Sequence, residues 1–126
     1  MRLLVVEDNA DCLKALKFML ESKGAEVQAA ASAQQARAAL VARRPHVVIS
    51  DLSLPGEDGF SFLASVRALP PDRGSQTPAV AFSAMSPLHA RVRAGEAGFQ
   101  AFLRKPGDLL LLVPTVVRLM SLALAP

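Results

Sequence analysis

Apolar and polar residues alternate along this chain in blocks that predict five strands and five helices in turn. Short, mostly apolar runs typical of buried strands lie at Arg2–Val6, Glu26–Ala31, His46–Ile49, Ala79–Phe82 and Phe99–Leu103. The segments between them carry apolar residues at helical spacing and predict helices at about 9–23, 32–44, 59–69, 87–97 and 108–125. This alternation predicts an α/β fold with a doubly wound parallel sheet and helices on both faces.

Capping residues set several of the predicted boundaries. Asn9 and Ser32 are expected to cap the first two helices. Asp108 is expected to cap the last helix, and Pro114, which lacks an N–H, should kink that helix or delay its regular start. The weakly apolar run Glu26–Ala31 is expected near an edge of the sheet.

Length and composition predict one globular domain. The chain has 126 residues, enough for one core and too few for two, and 52% of them are hydrophobic. The single cysteine, Cys12, excludes an internal disulfide and fits a reducing compartment. Because the N-terminus also lacks the pattern of a secretory signal, we expect a cytoplasmic protein.

Charge and hydropathy argue against nucleic acid and membrane as direct partners. The net charge is +3, but the basic residues are scattered, and the chain has no Trp or Tyr on which bases could stack. The apolar run 109–113 is interrupted by Pro114 and Arg118, whereas a membrane span needs about 20 apolar residues. No membrane span is therefore predicted.

Polar and charged residues follow four of the five predicted strands. In a parallel sheet these strand ends lie at one edge, which brings together Glu7, Asp8, Asp51, Ser83 and Lys105. Three carboxylates repel one another, and a hard divalent cation such as Mg²⁺ relieves that repulsion. Because a carboxylate can also take up a phosphoryl group, the set fits phosphoryl transfer onto Asp51.

Each of these residues also has a purely structural interpretation. Asp8 could belong to the cap of the first helix, Asp51 to a turn or helix cap, and Ser83 to a strand end. Lys105 could be an ordinary surface lysine, and Phe102 an ordinary core residue. The functional hypothesis depends on their occurring together at successive strand ends.

Four segments resemble the response-regulator receiver domain of two-component signalling, and the resemblance spans essentially the whole chain. They are LLVVEDN at 3–9, SDLSLPGEDG at 50–59, AFSA at 81–84 and GFQAFLRKP at 98–106. The resemblance implies a CheY-like, flavodoxin-like (βα)5 fold with strand order 2-1-3-4-5. It also implies that 1–126 is a single receiver domain with no output domain.

The family resemblance assigns a role to each candidate site residue. Asp51 would accept a phosphoryl group from a histidine kinase or a phosphotransfer protein. Asp8 and Asp51 would bind Mg²⁺, which Mn²⁺ can replace, together with the backbone carbonyl of Ser53, while Glu7 acts largely through water. The phosphoryl-binding and switch residues would be Ser83, Ala84, Lys105 and Phe102. The Lys105–Pro106 peptide bond is commonly cis in this family.

The last helix departs from the family by its leucine-rich start. An apolar helix at a surface often marks an interface, and the helix 4–strand 5–helix 5 face is the usual dimer or partner surface in the family. We therefore expect the segment 109–117 to contact a second copy or a downstream protein, with Leu109, Leu110, Leu112 and Val113 as candidates.

Three residues near the expected site bear on its charge and on its access to water. Glu57 stands where the family often has Met, and adds a charge beside the site. Ser53 and Met85 occupy positions that tune water access to the phosphoryl group, and neither is an acid or amide that would orient an attacking water. We therefore expect no unusually fast self-dephosphorylation.

The leading hypothesis is a signalling switch that is not an enzyme beyond its own phosphoryl transfer and slow dephosphorylation. One alternative is a degenerate receiver that serves as a phosphorylation-independent binding module, although such proteins usually lose an acid, the acceptor or the lysine. The other is a metal-dependent phosphohydrolase, which commonly carries a second Asp two residues after the nucleophile, where this chain has Ser53. A stand-alone regulator and a receiver from a larger sensor kinase both fit the sequence.

Overall fold

One parallel sheet forms the centre of the computed structural model, which describes residues 1–124. Its strands are β1 (Arg2–Val6), β2 (Glu26–Ala30), β3 (Val47–Ser50), β4 (Ala79–Ser83) and β5 (Ala101–Arg104). They are ordered β2-β1-β3-β4-β5, and every neighbouring pair is parallel. The predicted strand order is confirmed, and β2 lies at an edge of the sheet as expected.

Five helices alternate with these strands. They are α1 (Ala10–Ser22), α2 (Ala33–Arg43), α3 (Gly59–Arg67), α4 (Pro87–Ala97) and α5 (Leu112–Leu124), with 3₁₀ turns at Pro71–Arg73 and Leu109–Leu111. Most element ends lie within two residues of the predicted ones. Among residues 1–124, no helix has the length and apolar content that crossing a bilayer requires.

The strands separate two apolar cores, because successive side chains of a strand point to opposite faces. Leu4 and Val6 of β1 face a core shared with α2, α3 and α4. Leu3 and Val5 face a second core shared with α1 and α5. The sheet is therefore covered on both faces, as the continuous apolar strands predict.

Three helices begin at a side chain that caps the first turn. Asn9, Ser32 and Asp58 accept hydrogen bonds from the backbone N–H groups of Cys12 (2.9 Å), Gln35 (3.2 Å) and Ser61 (2.8 Å), respectively. These bonds satisfy N–H groups that lack a partner within the helix. The caps at Asn9 and Ser32 confirm the sequence prediction.

The start of the last helix differs from the prediction. Asp108 does not cap it, because its carboxylate accepts a hydrogen bond from the backbone N–H of Arg104 at 2.9 Å. A 3₁₀ turn comes first, and α5 begins at Leu112, so that Pro114 lies in its first turn. A proline is tolerated there because its missing N–H would have had no helical partner. The expected delay in the regular helix is confirmed.

Burial divides the leucine-rich segment. Leu112 has no exposed surface and packs in the core shared with α1, whereas Leu110 is 86% exposed. The prediction that Leu112 belongs to an interface is therefore wrong, because its side chain is buried inside the domain. Leu109 is exposed, and Val113 is half-buried against the core.

An arginine joins several segments at the amino edge of the sheet. The half-buried guanidinium of Arg67, at the end of α3, donates to the carbonyl oxygens of Ser75 (2.8 Å), Thr77 (2.6 Å) and Gly98 (2.7 and 3.1 Å). It also donates to the side chain of Gln100 at 3.2 Å. These bonds hold α3 to the segments that enter β4 and β5.

Candidate functional site

The residues predicted to form the site meet at the carboxyl edge of the sheet. Glu7 and Asp8 follow β1 and Asp51 follows β3, and each offers a carboxylate oxygen within 4.8 Å of the other two. Ser83 ends β4, and Lys105 follows β5. The parallel topology produces this convergence, because all strands end at the same edge.

Lys105 connects the acids of two different strands. Its ammonium nitrogen forms an ion pair with Glu7 Oε1 and lies 3.1 Å from Asp51 Oδ2. Burial lowers the pKa of Lys105, but its hydrogen bonds to Glu7 and Asp51 outweigh burial and raise that pKa above its ordinary value. Lys105 is therefore a fixed positive charge at the acidic cluster.

Glu7 is the most buried of the three acids, with 2% of its surface exposed. Its Oε1 pairs with Lys105, and its Oε2 accepts a hydrogen bond from the backbone N–H of Asn9 at 3.2 Å. A buried carboxylate is costly unless it is paired and hydrogen-bonded, and both conditions hold here. Asp8, by contrast, is exposed at the rim.

Backbone groups fix the position of Asp51. Its N–H donates to the carbonyl of Val6 at 3.0 Å, and its carbonyl accepts from the hydroxyl of Ser50 at 2.8 Å. Its carboxylate Oδ1 accepts from the backbone N–H of Ser53 at 3.2 Å. Oδ1 thus faces the following loop, while Oδ2 faces Lys105.

The start of α3 passes unusually close to the residues that follow β3. A Cβ atom on Gly59 would collide with the carbonyl oxygen of Asp51 and would lie 2.8 Å from the Cα of Leu52. Both contacts are with backbone, which cannot move aside as a flexible side chain can. Only glycine fits here.

The remaining predicted site residues lie on the β4 and β5 side. Ser83 is buried, and its hydroxyl oxygen accepts a hydrogen bond from the Met85 N–H at 3.2 Å, while Ala84 is exposed. Phe102 is buried, and the guanidinium carbon of Arg91 lies 5.4 Å from its ring centroid. The Lys105–Pro106 peptide bond is cis.

Glu57 makes contacts that the sequence did not reveal. Its carboxylate pairs with both terminal nitrogens of Arg37 in α2, each at 2.8 Å. No periodicity relates two residues 20 positions apart on a helix and a loop, so this pair had no sequence signal. The cap at Asp58 did have a sequence signal, because an acid directly before an apolar helix is a typical cap.

Cys12 lies near the acidic cluster without joining it. Burial, with the neighbouring Glu7 as a second cause, raises the pKa of this half-buried thiol. The thiol therefore stays protonated at neutral pH, and its reactivity is low.

The donor set of this cluster fits Mg²⁺. The candidate ligands are carboxylate oxygens, which hard divalent cations prefer, and the exposed rim at Asp8 leaves room for water. Glu7, Asp8 and Asp51 are the residues whose carboxylate oxygens could hold the ion.

Comparison with known proteins agrees with this geometry. The family model of the response regulator receiver domain matches residues 3–116. An uncharacterized 14.6 kDa protein of Leptolyngbya boryana is 39% identical over 92% of this chain and 87% of its own length. The transcriptional regulatory protein PrrA of Mycobacterium tuberculosis is 34% identical over 94% of this chain, which spans only 49% of PrrA.

A solved structure that shares the fold holds a magnesium ion. The receiver domain of a sensor histidine kinase from Pseudomonas aeruginosa PAO1, with a magnesium ion coordinated in its active-site cleft, superimposes with a TM-score of 0.85. It is 28% identical, and the match covers 95% of this chain and 97% of that one. With the family model matching nearly its whole length, this chain belongs to the family of response-regulator receiver domains.

Proposed function

We propose that this chain is a phosphorylation-operated switch in which Asp51 accepts a phosphoryl group from a histidine kinase or a phosphotransfer protein. The observation that carries the proposal is the convergence of Asp51, two further acids and Lys105 at one sheet edge. An acceptor, a cation-binding oxygen cluster and a fixed ammonium are the groups that phosphoryl transfer requires.

The proposed reaction exchanges one bond for another at phosphorus. A carboxylate oxygen of Asp51 attacks the phosphorus of a phosphohistidine, and the O–P bond forms as the P–N bond breaks. The electron pair of the broken bond stays on the histidine nitrogen, which takes up a proton. When bound, Mg²⁺ supplies positive charge that neutralises the phosphoryl oxygens.

In the proposal, residues of this chain orient the phosphoryl group and compensate its negative charge. Lys105, 3.1 Å from Asp51 Oδ2, pairs with a phosphoryl oxygen. The Ser83 hydroxyl, at the end of the neighbouring strand, donates a hydrogen bond to another. Phe102 is buried, and the Arg91 guanidinium lies over its ring. It is the aromatic residue that would turn inward when Ser83 moves to the phosphoryl group.

The alternatives receive less support. A degenerate receiver usually lacks an acid, the acceptor or the lysine, whereas this chain has three acids with carboxylate oxygens within 4.8 Å of one another and Lys105 paired with Glu7 and Asp51. A phosphohydrolase commonly has a second aspartate two residues after the nucleophile, where this chain has Ser53. We therefore propose a signalling switch rather than an enzyme.

Intact-mass measurement after incubation with acetyl phosphate and Mg²⁺ tests the proposal. We expect one phosphoryl adduct in the wild-type protein, none in D51N, and none when the metal is chelated. The matched control is D72N, an exposed aspartate in the 3₁₀ turn before β4, which should be labelled normally. No adduct on the wild type, under conditions that label a known receiver, would support the binding-module alternative.

The proposed output is a protein contact on the face formed by α4, β5 and α5. Leu88 and Val92 of α4 are 89% and 67% exposed, and the exposed Leu109 and Leu110 precede α5. We propose that this surface contacts a second copy of the chain. Sedimentation with a beryllofluoride phosphoryl mimic should show dimers that L110S weakens, while F18S, at an exposed residue of α1, leaves them unchanged. A monomer at high concentration with the mimic would contradict self-association.

A further inference from the structure

An ion pair links the loop after Asp51 to a neighbouring helix. Arg37 of α2 binds both carboxylate oxygens of Glu57, with each N–O distance 2.8 Å. Both side chains are about one-third exposed, at 33% and 32%. Bidentate pairs of this kind fix the relative orientation of two groups as well as their distance.

Two serines of helix α3 also form hydrogen bonds with this ion pair. The hydroxyl of Ser61 donates to Glu57 Oε2 at 3.1 Å, and Arg37 donates to the hydroxyl of Ser65 at 3.3 Å. The hydrogen bonds from Arg37 lower the pKa of Glu57, and those to Glu57 raise the pKa of Arg37. Both groups therefore remain charged across the neutral range.

The loop that Glu57 belongs to also contains the proposed metal ligand Ser53. Its own bonds are local: Ser53 N–H to Asp51 Oδ1 (3.2 Å), Glu57 N–H to the Pro55 carbonyl (2.9 Å) and Gly59 N–H to the Leu52 carbonyl (2.9 Å). Asp51, the first residue of the loop, is bonded to Val6 of β1 and to Lys105. Among the hydrogen bonds of residues 1–124, those from Arg37 are the ones that tie the rest of the loop, 52–58, to an element other than β3 and α3.

We propose that Arg37 is a positioning residue that acts through Glu57 to hold the β3–α3 loop in the form in which the Ser53 carbonyl and Asp51 bind a divalent cation. The inference rests on the proposed function and deepens it. An exposed ion pair adds little to stability, so its main effect is on the geometry of the loop.

Nuclear magnetic resonance of ¹⁵N-labelled protein tests this inference independently of phosphorylation. Titration of the metal-free protein with Mg²⁺, followed at loop amides, gives the dissociation constant. We expect R37A to weaken Mg²⁺ binding about tenfold, the lower end for residues that support metal ligands, and to broaden the amide signals of 53–57 before metal is added. The matched control is R43A, an exposed arginine at the end of the same helix, which should stay within about twofold of the wild type.

A charge-reversed pair separates positioning from a general loss of structure. R37E/E57R can form the same ion pair in the opposite sense, and we expect it to restore Mg²⁺ affinity to within about threefold of the wild type. If Arg37 only positions the loop, the thermal midpoint of R37A should match that of R43A. If its role were merely structural, R37A should unfold at a lower temperature than R43A. Wild-type affinity in R37A, or a reversed pair as weak as R37A, would overturn the inference.

The outcomes also separate this inference from the proposed function. If the wild type is labelled on Asp51 and R37A binds Mg²⁺ normally, only the inference is wrong. If R37A weakens Mg²⁺ binding but the wild type is not labelled, the positioning role holds and the phosphoryl-transfer proposal fails. A wild type whose spectrum does not respond to Mg²⁺ would overturn both.

Discussion

The ammonium nitrogen of Lys105 lies 3.1 Å from Oδ2 of Asp51 while it also pairs with Glu7. One cation thus bridges acids that follow the first and third strands, although the three residues are separated by up to 98 positions in the chain. In this arrangement the lysine is the internal counter-charge of the acidic cluster.

Replacing Lys105 by methionine should slow phosphorylation without abolishing the acceptor. K105M keeps the length of the side chain but removes the charge, so we expect labelling by acetyl phosphate to fall about a hundredfold. Intact mass against time measures the rate. K17M, at an exposed lysine of α1, should be labelled like the wild type. Equal rates for K105M and the wild type would rule out a role for the ammonium in the transfer.

Replacing Gly59 by alanine should disturb the strand end that carries Asp51. The added methyl collides with backbone atoms of Asp51 and Leu52, so we expect about 1–3 kcal/mol of lost stability and slower labelling. Urea unfolding and intact mass measure the two effects. G95A is the matched control, because a Cβ on Gly95 in α4 meets no atom within 4 Å. A wild-type unfolding midpoint and rate in G59A would contradict the close approach.

Alanine substitutions at Leu112 and Leu110 should have different effects on the free energy of unfolding. L112A leaves a cavity in the core beside α1 and should cost about 2–5 kcal/mol of unfolding free energy. L110A, at a side chain that is mostly exposed, should change it by less than about 0.5 kcal/mol. Urea unfolding of dilute protein measures both. Equal costs would show that the leucine-rich segment packs differently.

Acidification below about pH 6.5 should remove a contribution of His46 to stability. Burial, then the charges of Arg2 and the amino terminus, lower the pKa of His46, whose Nδ1 accepts a hydrogen bond from the Arg2 N–H at 2.8 Å. Because the unfolded chain binds the proton more readily, stability rises with pH through this range and falls as pH drops.

The variant H46N tests this pH dependence. Its side-chain oxygen can accept the same hydrogen bond but does not titrate. Unfolding free energies at about pH 5.5 and pH 7.5 should differ more in the wild type than in H46N. Identical differences in the two proteins would assign the pH dependence to other groups.

The aspartyl phosphate, once formed, should persist well beyond a few seconds at neutral pH. Ser53 and Met85 offer neither an acid nor an amide to orient an attacking water, and Met85 is already engaged through its N–H with Ser83. Decay of the adduct in intact-mass spectra, after removal of the donor, measures the lifetime. Loss of the adduct within a few seconds would disprove this expectation.

The site could be predicted because it follows from topology. Apolar runs fix where strands end, and a parallel sheet places all those ends together, so Glu7, Asp51 and Lys105 were found without any knowledge of their side-chain positions. The same argument predicted β2 at an edge, since its run is the least apolar.

Contacts between side chains on separate elements could not be predicted from sequence patterns. The pair of Arg37 with Glu57 depends on how α2 and the β3–α3 loop lie in space, which no periodicity encodes. The burial of Leu112 was also missed, because a run of leucines does not show which of its members faces the core. Sequence patterns assign residues to elements, whereas packing decides which side of an element is covered.

The guanidinium of Arg67 has a consequence for the opposite end of the sheet. Its partners are carbonyl oxygens of Ser75, Thr77 and Gly98, none of which gains or loses a proton. Dissolved salt also screens a half-buried group of this kind weakly. The joint that Arg67 makes between α3 and the segments entering β4 and β5 is therefore insensitive to acidity and only weakly sensitive to ionic strength, unlike the charged groups at the carboxyl edge.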